Sequence, residues 1–323
     1  MPAKILVTGG AGYIGGTVAE VLVRRGHSVV VYDNLSHATR NMVPPKVEFV
    51  QGEISDRHAL EKLLSQGFDG VMHFAALIEA GESMVRPELY FRNNSASTLS
   101  LLEAMLSTGV RRLVFSSTAA VYGEPESTPI REDAPLRPTN PYGESKLLVE
   151  KMLAWFYRIH AFPYASLRYF NVAGAVAKRG EAHEPESHLI PLVLDVALGR
   201  RDKIKIYGDD YPTPDGTCIR DYIHVEDLAD AHVLAFEALA GGGQLVYNLG
   251  NGRGFTVREV IEAARRVTGH PIPVELVPRR PGDPAVLIAS SEKIGKELGW
   301  KPRHNGLDTI IASAWEWHQI RYR

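Results

Sequence analysis

The sequence has a single cysteine, Cys218, among its 323 residues. That excludes a disulfide framework and any zinc site built on several thiolates. Excess charge of either sign is also lacking: 36 basic against 38 acidic residues leave a net charge of −2. Without a broad electrostatic field, neither nucleic acid nor an anionic membrane surface is an expected partner. An anionic ligand must then be held by a few local groups. No apolar stretch reads as a membrane span, and no basic leader precedes the strand-like segment that MPAKILVTGG enters at once. These absences predict a cytoplasmic protein. Internal repeats and low-complexity tracts are missing as well.

What is present is a 45% apolar chain, long enough for a large core and two lobes. Strand-like runs fall at 4–8, 28–33, 46–51, 69–75, 112–116 and 164–169. Helical patterns lie between them, at 12–25, 57–64, 82–106 and 142–160. Apolar strands alternating with amphipathic helices predict an α/β fold, a Rossmann-type doubly wound parallel sheet. After Asn171 the pattern changes: 175–187 is polar and loop-like, and later elements are shorter and richer in Pro and Gly. This predicts a dinucleotide-binding domain over 1–172, to which 221–249 returns. A smaller C-terminal α/β substrate lobe is expected from 173–220 and 250–323.

VTGGAGYIGG places Gly9, Gly12 and Gly15 directly after a strand and at the opening of a helix. Such a turn needs small residues so that the chain reverses sharply, the backbone approaches a pyrophosphate, and helix packs on strand. The helix N-terminus then offers N–H groups and a positive dipole end to phosphate. A tight structural turn would explain the glycines equally well. The second strand, however, ends in Asp33, eighteen residues past Gly15. A carboxylate there accepts both ribose hydroxyls and repels a 2′-phosphate, which favours NAD over NADP.

PTNPYGESKLLVEK sets Tyr142 and Lys146 four residues apart, on one face of a helix. A nearby ammonium, or the positive charge of an oxidised nicotinamide, favours the phenolate and equips Tyr142 as a general base. Lys146 is also placed to hydrogen-bond the nicotinamide ribose. Thr118, in VFSSTAAVYG, sits at the carboxyl end of the fifth strand, where open parallel sheets bind ligands. Its hydroxyl is suited to hold the oxygen whose proton leaves. The plainer alternative is a surface tyrosine beside a solvated lysine; with 13 tyrosines in the chain such a spacing arises by accident.

These residues, together with YDNLS, HFAA, GES, LRYFNVAGA, YGDDYPTPDGTCIRDYIHV, YNLGNG and RRPGDP, carry a resemblance that covers nearly the whole chain. The sequence resembles the extended short-chain dehydrogenase/reductases and, within them, the epimerases of UDP-hexoses; YPTPDGTCIRDYIHV is the more specific of these signatures. The resemblance implies NAD-dependent, reversible epimerisation at C4 of a UDP-hexose, UDP-galactose to UDP-glucose, through a transient 4-keto sugar. It implies that Tyr13 and Ile14 follow the pyrophosphate, and that Asp33, Asn34 and Leu35 hold the adenosine end, with Glu53 and Ile54 at the adenine. Phe74, Ala75, Ala76 and Asn93 would line the cofactor path, and Phe170 would pack near the nicotinamide. Tyr142 and Lys146 would be catalytic, with Thr118 assisting at the substrate. For the sugar nucleotide, Asn171, His188, Leu189, Tyr207, Arg220, Arg280 and Asp283 match. Two arginines neutralise a diphosphate and a tyrosine stacks on uracil, so the chemistry agrees. Glu53 stands where the family often has Asp, Ile78 where some members have Lys, and His188 where Asn is common. Leu287 matches a residue that gates access for 2-acetamido sugars, which leaves the N-acetylglucosamine series open.

Other readings stand beside this one. A sugar-nucleotide 4,6-dehydratase would carry an Asp–Glu pair after Thr118, but Ala119–Ala120 follow it. A UDP-sugar-acid enzyme would need further cationic groups at the sugar. A silent NAD sensor would have a damaged catalytic set. HEPESH, 183–188, has histidines without the fixed face of a helix, so no metal is expected, and His224 is expected to support the fold or cap a helix. Leu99, Leu102 and Leu106, and Leu148, Met152, Trp155 and Phe156, form two stripes. Core packing explains part of each; in the family, the corresponding helices build a homodimer.

Overall fold

Ile5, Leu6 and Val7, and likewise Val29, Val30 and Val31, are buried on both faces of their strands, as parallel sheets covered by helices require. The computed structural model describes residues 2–177, 179–280 and 282–323. Pro281, in the RRPGDP signature, lies outside the described residues. The chain runs β1 (Lys4–Thr8), α1 (Tyr13–Arg24), β2 (Ser28–Asp33), β3 (Glu48–Gln51), α2 (Arg57–Leu64), β4 (Gly70–His73), α3 (Ala80–Ser83) and α4 (Pro87–Tyr90). A π-helical turn, Phe91–Ala96, leads into α5 (Ser97–Thr108), followed by β5 (Leu113–Thr118), α6 (Pro141–His160) and β6 (Tyr164–Tyr169). Then come β7 (Asn171–Ala173), α7 (Leu189–Ala197), β8 (Ile204–Tyr207), β9 (Ile219–His224), α8 (Val225–Ala238) and β10 (Gln244–Leu249). The last elements are β11 (Gly254–Thr256), α9 (Val257–Thr268), β12 (Val274–Val277), β13 (Val286–Leu287), α10 (Glu292–Leu298) and α11 (Leu307–Arg321).

Two compact units emerge. The first is made of 1–123, 134–169 and 229–247. Its seven-stranded sheet has the order β10-β6-β5-β4-β1-β2-β3, and the pairings from β6 across to β3 are all parallel. This is the doubly wound α/β architecture expected from the sequence. Leu60 and Leu64 of α2, Leu101 and Met105 of α5, and Val149 and Leu153 of α6 share one core with Leu6, Val30, Leu113 and Phe115 of the sheet. The second unit comprises 124–133, 170–228 and 248–323. It holds β9 between β11 and β13, with β7 also on β9, and a separate β12–β8 pair. Helices α7, α9 and α11 enclose its core around Val193, Val260 and Ile310.

Four local differences from the sequence expectation have physical causes. The helix expected over 82–106 is interrupted, because Pro87 cannot continue a helix and forces Arg86 out of helical geometry (φ −131°, ψ 59°). The third strand starts at Glu48 and not at residue 46, since Lys46 has φ 67°, outside the extended region. The segment 124–133 joins the second unit, where Ile130 bridges Ala289 and accepts the side-chain amide of Asn248. The return to the first unit spans 229–247, narrower than 221–249, because β9 pairs with β7, β11 and β13.

Candidate active site

In the first unit, Gly9 closes the turn after β1 with φ +72°, and a Cβ there would lie 2.5 Å from Ala75 N. A Cβ on Gly15 would meet Gly9 O at 2.4 Å, so α1 packs directly on the turn. Gly12, the N-cap of α1, gives the helix no side-chain cap. Tyr13 and Ile14 form the first turn that follows. The turn therefore has no room for side chains, and the helix start is open to an anion. Asp33, at the end of β2, accepts Ala11 N (3.1 Å) through Oδ2 and Leu35 N (2.8 Å) through Oδ1. It is fixed beside the glycine turn, with lone pairs remaining on each oxygen. Asn34 donates to both carboxylate oxygens of Glu53 at 3.1 Å, and Ile54 is buried. Phe74, Ala75 and Ala76 follow β4, and Phe74 N donates to Thr8 O at 2.9 Å. Donor set, glycine turn and carboxylate fit a dinucleotide.

The second cluster lies at the carboxyl end of β5. Asn140 caps α6 by accepting Gly143 N at 2.9 Å, and Pro141 supplies the first helical residue. The cap sets Tyr142 in the first turn, where its phenol faces the Thr118 hydroxyl. Thr118 Oγ1 accepts Ala120 N at 3.1 Å, which leaves its proton free to donate to the phenol oxygen. One turn along, Lys146 Nζ donates to Ser116 O at 2.9 Å and lies 5.0 Å over the Phe115 ring. Burial pushes the Tyr142 phenol up, the Thr118 hydrogen bond pulls it back in part, and the Glu79 carboxylate adds to the upward push. Burial lowers Lys146 to about 7. The sequence reading gave the ammonium the role of acidifying the phenol; in the chain alone, burial of both groups outweighs it, and Tyr142 rests as the phenol.

Several supporting residues escaped the sequence reading. Buried Asn94 accepts Leu77 N at 2.9 Å, and it donates to Leu77 O and to Ser145 Oγ, both at 3.0 Å. It thus ties the segment after β4 to α6, between Tyr142 and Lys146. Asn93, which the resemblance had singled out, donates to Asn94 Oδ1 at 3.0 Å. Its neighbour's role was hidden because a π-helical turn, a frequent feature of functional sites, alters the helical spacing. The half-buried Tyr169 hydroxyl makes a short contact with Ser116 Oγ. His73 is held between Thr8 Oγ1 (2.6 Å) and Thr98 Oγ1 (2.8 Å). Burial and the nearby Lys146 lower it to about 3, so it is neutral.

The second unit carries the other expected residues. Arg280 Nε lies 2.9 Å from Asp283 Oδ2, and Arg220 Nη2 lies 3.5 Å from Asp283 Oδ1. Arg220 also donates to Ile219 O and Pro284 O at 2.8 Å. The Arg280 guanidinium stands 4.5 Å over the Tyr207 ring. Leu287 is the β-register partner of Arg220, which puts the expected gate residue beside an expected phosphate ligand. His188, the N-cap of α7, pairs with Glu186 Oε1 at 2.8 Å, and Leu189 begins the helix. Phe170 and Asn171 fall in this unit and not in 1–172: Phe170 N donates to Leu249 O (3.3 Å), and Asn171 pairs with Tyr222.

Among the described residues one trio of metal-capable side chains converges, His224, Glu226 and His304. Hydrogen-bond accounting closes it. His224 Nδ1 accepts Glu226 N at 3.1 Å. Its Nε2 is 3.0 Å from Ser313 Oγ, whose own proton goes to Ile310 O. Both ring nitrogens are engaged in the neutral form, and burial with the adjacent His304 lowers His224 to about 4. His224 supports the start of α8.

Residues 5–250 match the model of the NAD dependent epimerase/dehydratase family. The chain is 57% identical over 320 residues to a UDP-glucose 4-epimerase of Streptomyces lividans, covering 98% of this chain and 97% of that one. The fold superposes with a TM-score of 0.95 on a Brucella ovis UDP-glucose 4-epimerase in complex with NAD, at 45% identity and 98% coverage of both chains. It superposes with a TM-score of 0.93 on the Bifidobacterium longum enzyme in complex with NAD+ and UDP, at 40% identity and 99% coverage of both chains.

Proposed function

The chain belongs to the NAD dependent epimerase/dehydratase family, and on that premise we propose that it interconverts UDP-galactose and UDP-glucose by inverting C4 of the hexose. The observation that carries this reading is Tyr142 in the first turn of α6, its phenol facing Thr118 at the end of β5, with buried Lys146 one turn along the same helix and held by Ser116 O at 2.9 Å. NAD would be held by Gly9, Gly12 and Gly15 with the open start of α1 at its pyrophosphate. Asp33, Asn34 and Leu35 would hold its adenosine, with Glu53 and Ile54 at the adenine, and Phe74 to Ala76, Asn93 and Phe170 toward the nicotinamide. When bound, it supplies the hydride acceptor and donor that make a transient 4-keto sugar possible.

The chain's own groups manage the proton and the grip. As the phenolate, which a protonated Lys146 and the positive charge of an oxidised nicotinamide would favour, Tyr142 takes the proton of the sugar 4-hydroxyl, while Thr118 donates to the oxygens in play. Lys146, buried and held by Ser116 O, would in its protonated form stabilise that phenolate and hold the nicotinamide ribose. For C4 to be inverted, hydride must return to the opposite face of the 4-keto carbon, so the sugar must turn about the diphosphate bonds. That requires a firm hold on UDP and a loose one on the hexose. Arg220 and Arg280, converging on Asp283, suit the diphosphate, and Tyr207 suits uracil. Asn171, His188 and Leu189 complete the substrate set. A 4,6-elimination would need an acid and a base after Thr118. Ala119 and Ala120 stand there, and a Cβ on Gly143 would reach Ala120 O at 2.6 Å, so the turn is closely packed.

We also infer a homodimer through α5 and α6. Trp155 is 61% and Ile159 68% exposed, and Leu99 lies outward at 38%, whereas Leu102 of the expected stripe is in the core. The activity is tested by incubating the protein with UDP-galactose and no added oxidant or reductant. UDP-glucose should accumulate to equilibrium; absence of conversion by NAD-loaded protein would sink the reading.

A further inference from the structure

Tyr142, Lys146 and Glu150 follow one another at four-residue steps along α6 and so share one helix face. The proposed function uses the first two and leaves the third unexplained. Glu150 is only 7% exposed, a costly position for a carboxylate unless it is fully paired.

Its partners come from the neighbouring strands. Arg168 of β6 donates from Nε to both carboxylate oxygens, at 3.0 and 3.2 Å, and from Nη2 to Oε2 at 2.5 Å. Ser117 of β5 donates to Oε1 at 2.5 Å. Arg168 Nη1 donates to the Tyr122 hydroxyl at 2.8 Å, with the guanidinium 5.1 Å over that ring. Ser117 immediately precedes Thr118, and Tyr122 closes the short turn Ala119–Val121 that Thr118 caps. The lock therefore grips the chain on both sides of Thr118, while its helical end lies eight residues, roughly 12 Å, along α6 from Tyr142.

A buried ion pair is a weak source of stability, since desolvation offsets its attraction. A forked guanidinium–carboxylate pair is, however, geometrically exacting in a way that sliding apolar surfaces are not. We propose that Glu150 and Arg168 are positioning residues that set the register of α6 on β5 and β6 and thereby hold the Tyr142 hydroxyl within reach of Thr118. This inference rests on Tyr142 being the proton-transfer group.

The test separates position from stability. Arg168→Met alone leaves a buried carboxylate unpaired, so both the unfolding midpoint and kcat should fall. In the double variant Glu150→Met with Arg168→Met, the midpoint should recover toward that of the parent. Its kcat for UDP-galactose should stay about 10- to 100-fold low, with KM and NAD content near those of the parent. A double variant that regains kcat with its midpoint would overturn the proposal. Should that variant not fold, Ser117→Ala and Tyr122→Phe each remove one arm of the lock and keep the ion pair. Each should lose about 3- to 10-fold in kcat at an unchanged midpoint; parent-like kcat in both would overturn it too. Tyr142→Phe is assayed in parallel. If it turns over normally, the underlying function fails; if it is inactive while the double variant is fully active, only the positioning role fails.

Discussion

At the scale of single residues, the site is governed by burial. Lys146 is buried and Tyr142 half-buried, and desolvation favours the neutral form of each, leaving a phenol beside an amine at about 7. Removing the phenolic oxygen should therefore abolish proton transfer and leave the fold intact. Tyr142→Phe is expected to lower kcat by about 10²- to 10⁴-fold, read as UDP-glucose formed from UDP-galactose, at a nearly unchanged unfolding midpoint. Lys146 also carries a signed pH effect. Its folded pKa lies below the value near 10.4 of an unfolded lysine, so between about 7 and about 10 the unfolded chain binds more protons than the folded one. Stability of the nucleotide-free chain should then rise with pH across that window, and Lys146→Met should remove the rise. Thermal unfolding at several pH values checks this, and a flat profile in the parent would contradict it.

At the scale of elements, function depends on how strands end and helices begin. The β1–α1 turn works because nothing projects from it. Gly15→Ala places a methyl group 2.4 Å from Gly9 O, so α1 must move off the turn that would hold the pyrophosphate. The expected result is protein with much less co-purifying NAD, measured in the supernatant after denaturation, and a lowered unfolding midpoint. The start of α6 works through its cap: Asn140 and Pro141 bring Tyr142 to the exit of β5. The glycine turn and the Tyr142–Lys146 face were legible in the sequence, because glycine spacing and the helical repeat are local signals, whereas the Asn140 cap came from the structure. The Glu82–Leu106 segment was less so. Pro87 is visible, but the π-helical turn and Asn94's bonds to Leu77 and Ser145 depend on partners far away in sequence.

At the scale of the whole molecule, the chain forms two units whose segments alternate in sequence. The outward Trp155 and Ile159 are the surface proposed to meet a second copy, and the dimer should depend on them. Sedimentation of the parent should give twice the 35.6 kDa chain mass, and Trp155→Glu with Ile159→Glu should shift it to the single-chain mass. A parent that sediments as one chain at micromolar concentration would rule the dimer out.

The sequence by itself determined the α/β class, the glycine turn with Asp33, and the Tyr142–Lys146 spacing. Each is written in neighbouring residues, through strand hydrophobicity, turn sterics and the helical repeat. Only the tertiary structure decided that burial, more than the ammonium, sets the resting charge of Tyr142. It alone brought Glu150, Arg168, Ser117 and Tyr122 together, and it alone assigned 124–133 to the second unit. Desolvation and long-range pairing are properties of the packed chain, because they depend on which distant segments exclude water from a group, and no local pattern encodes that.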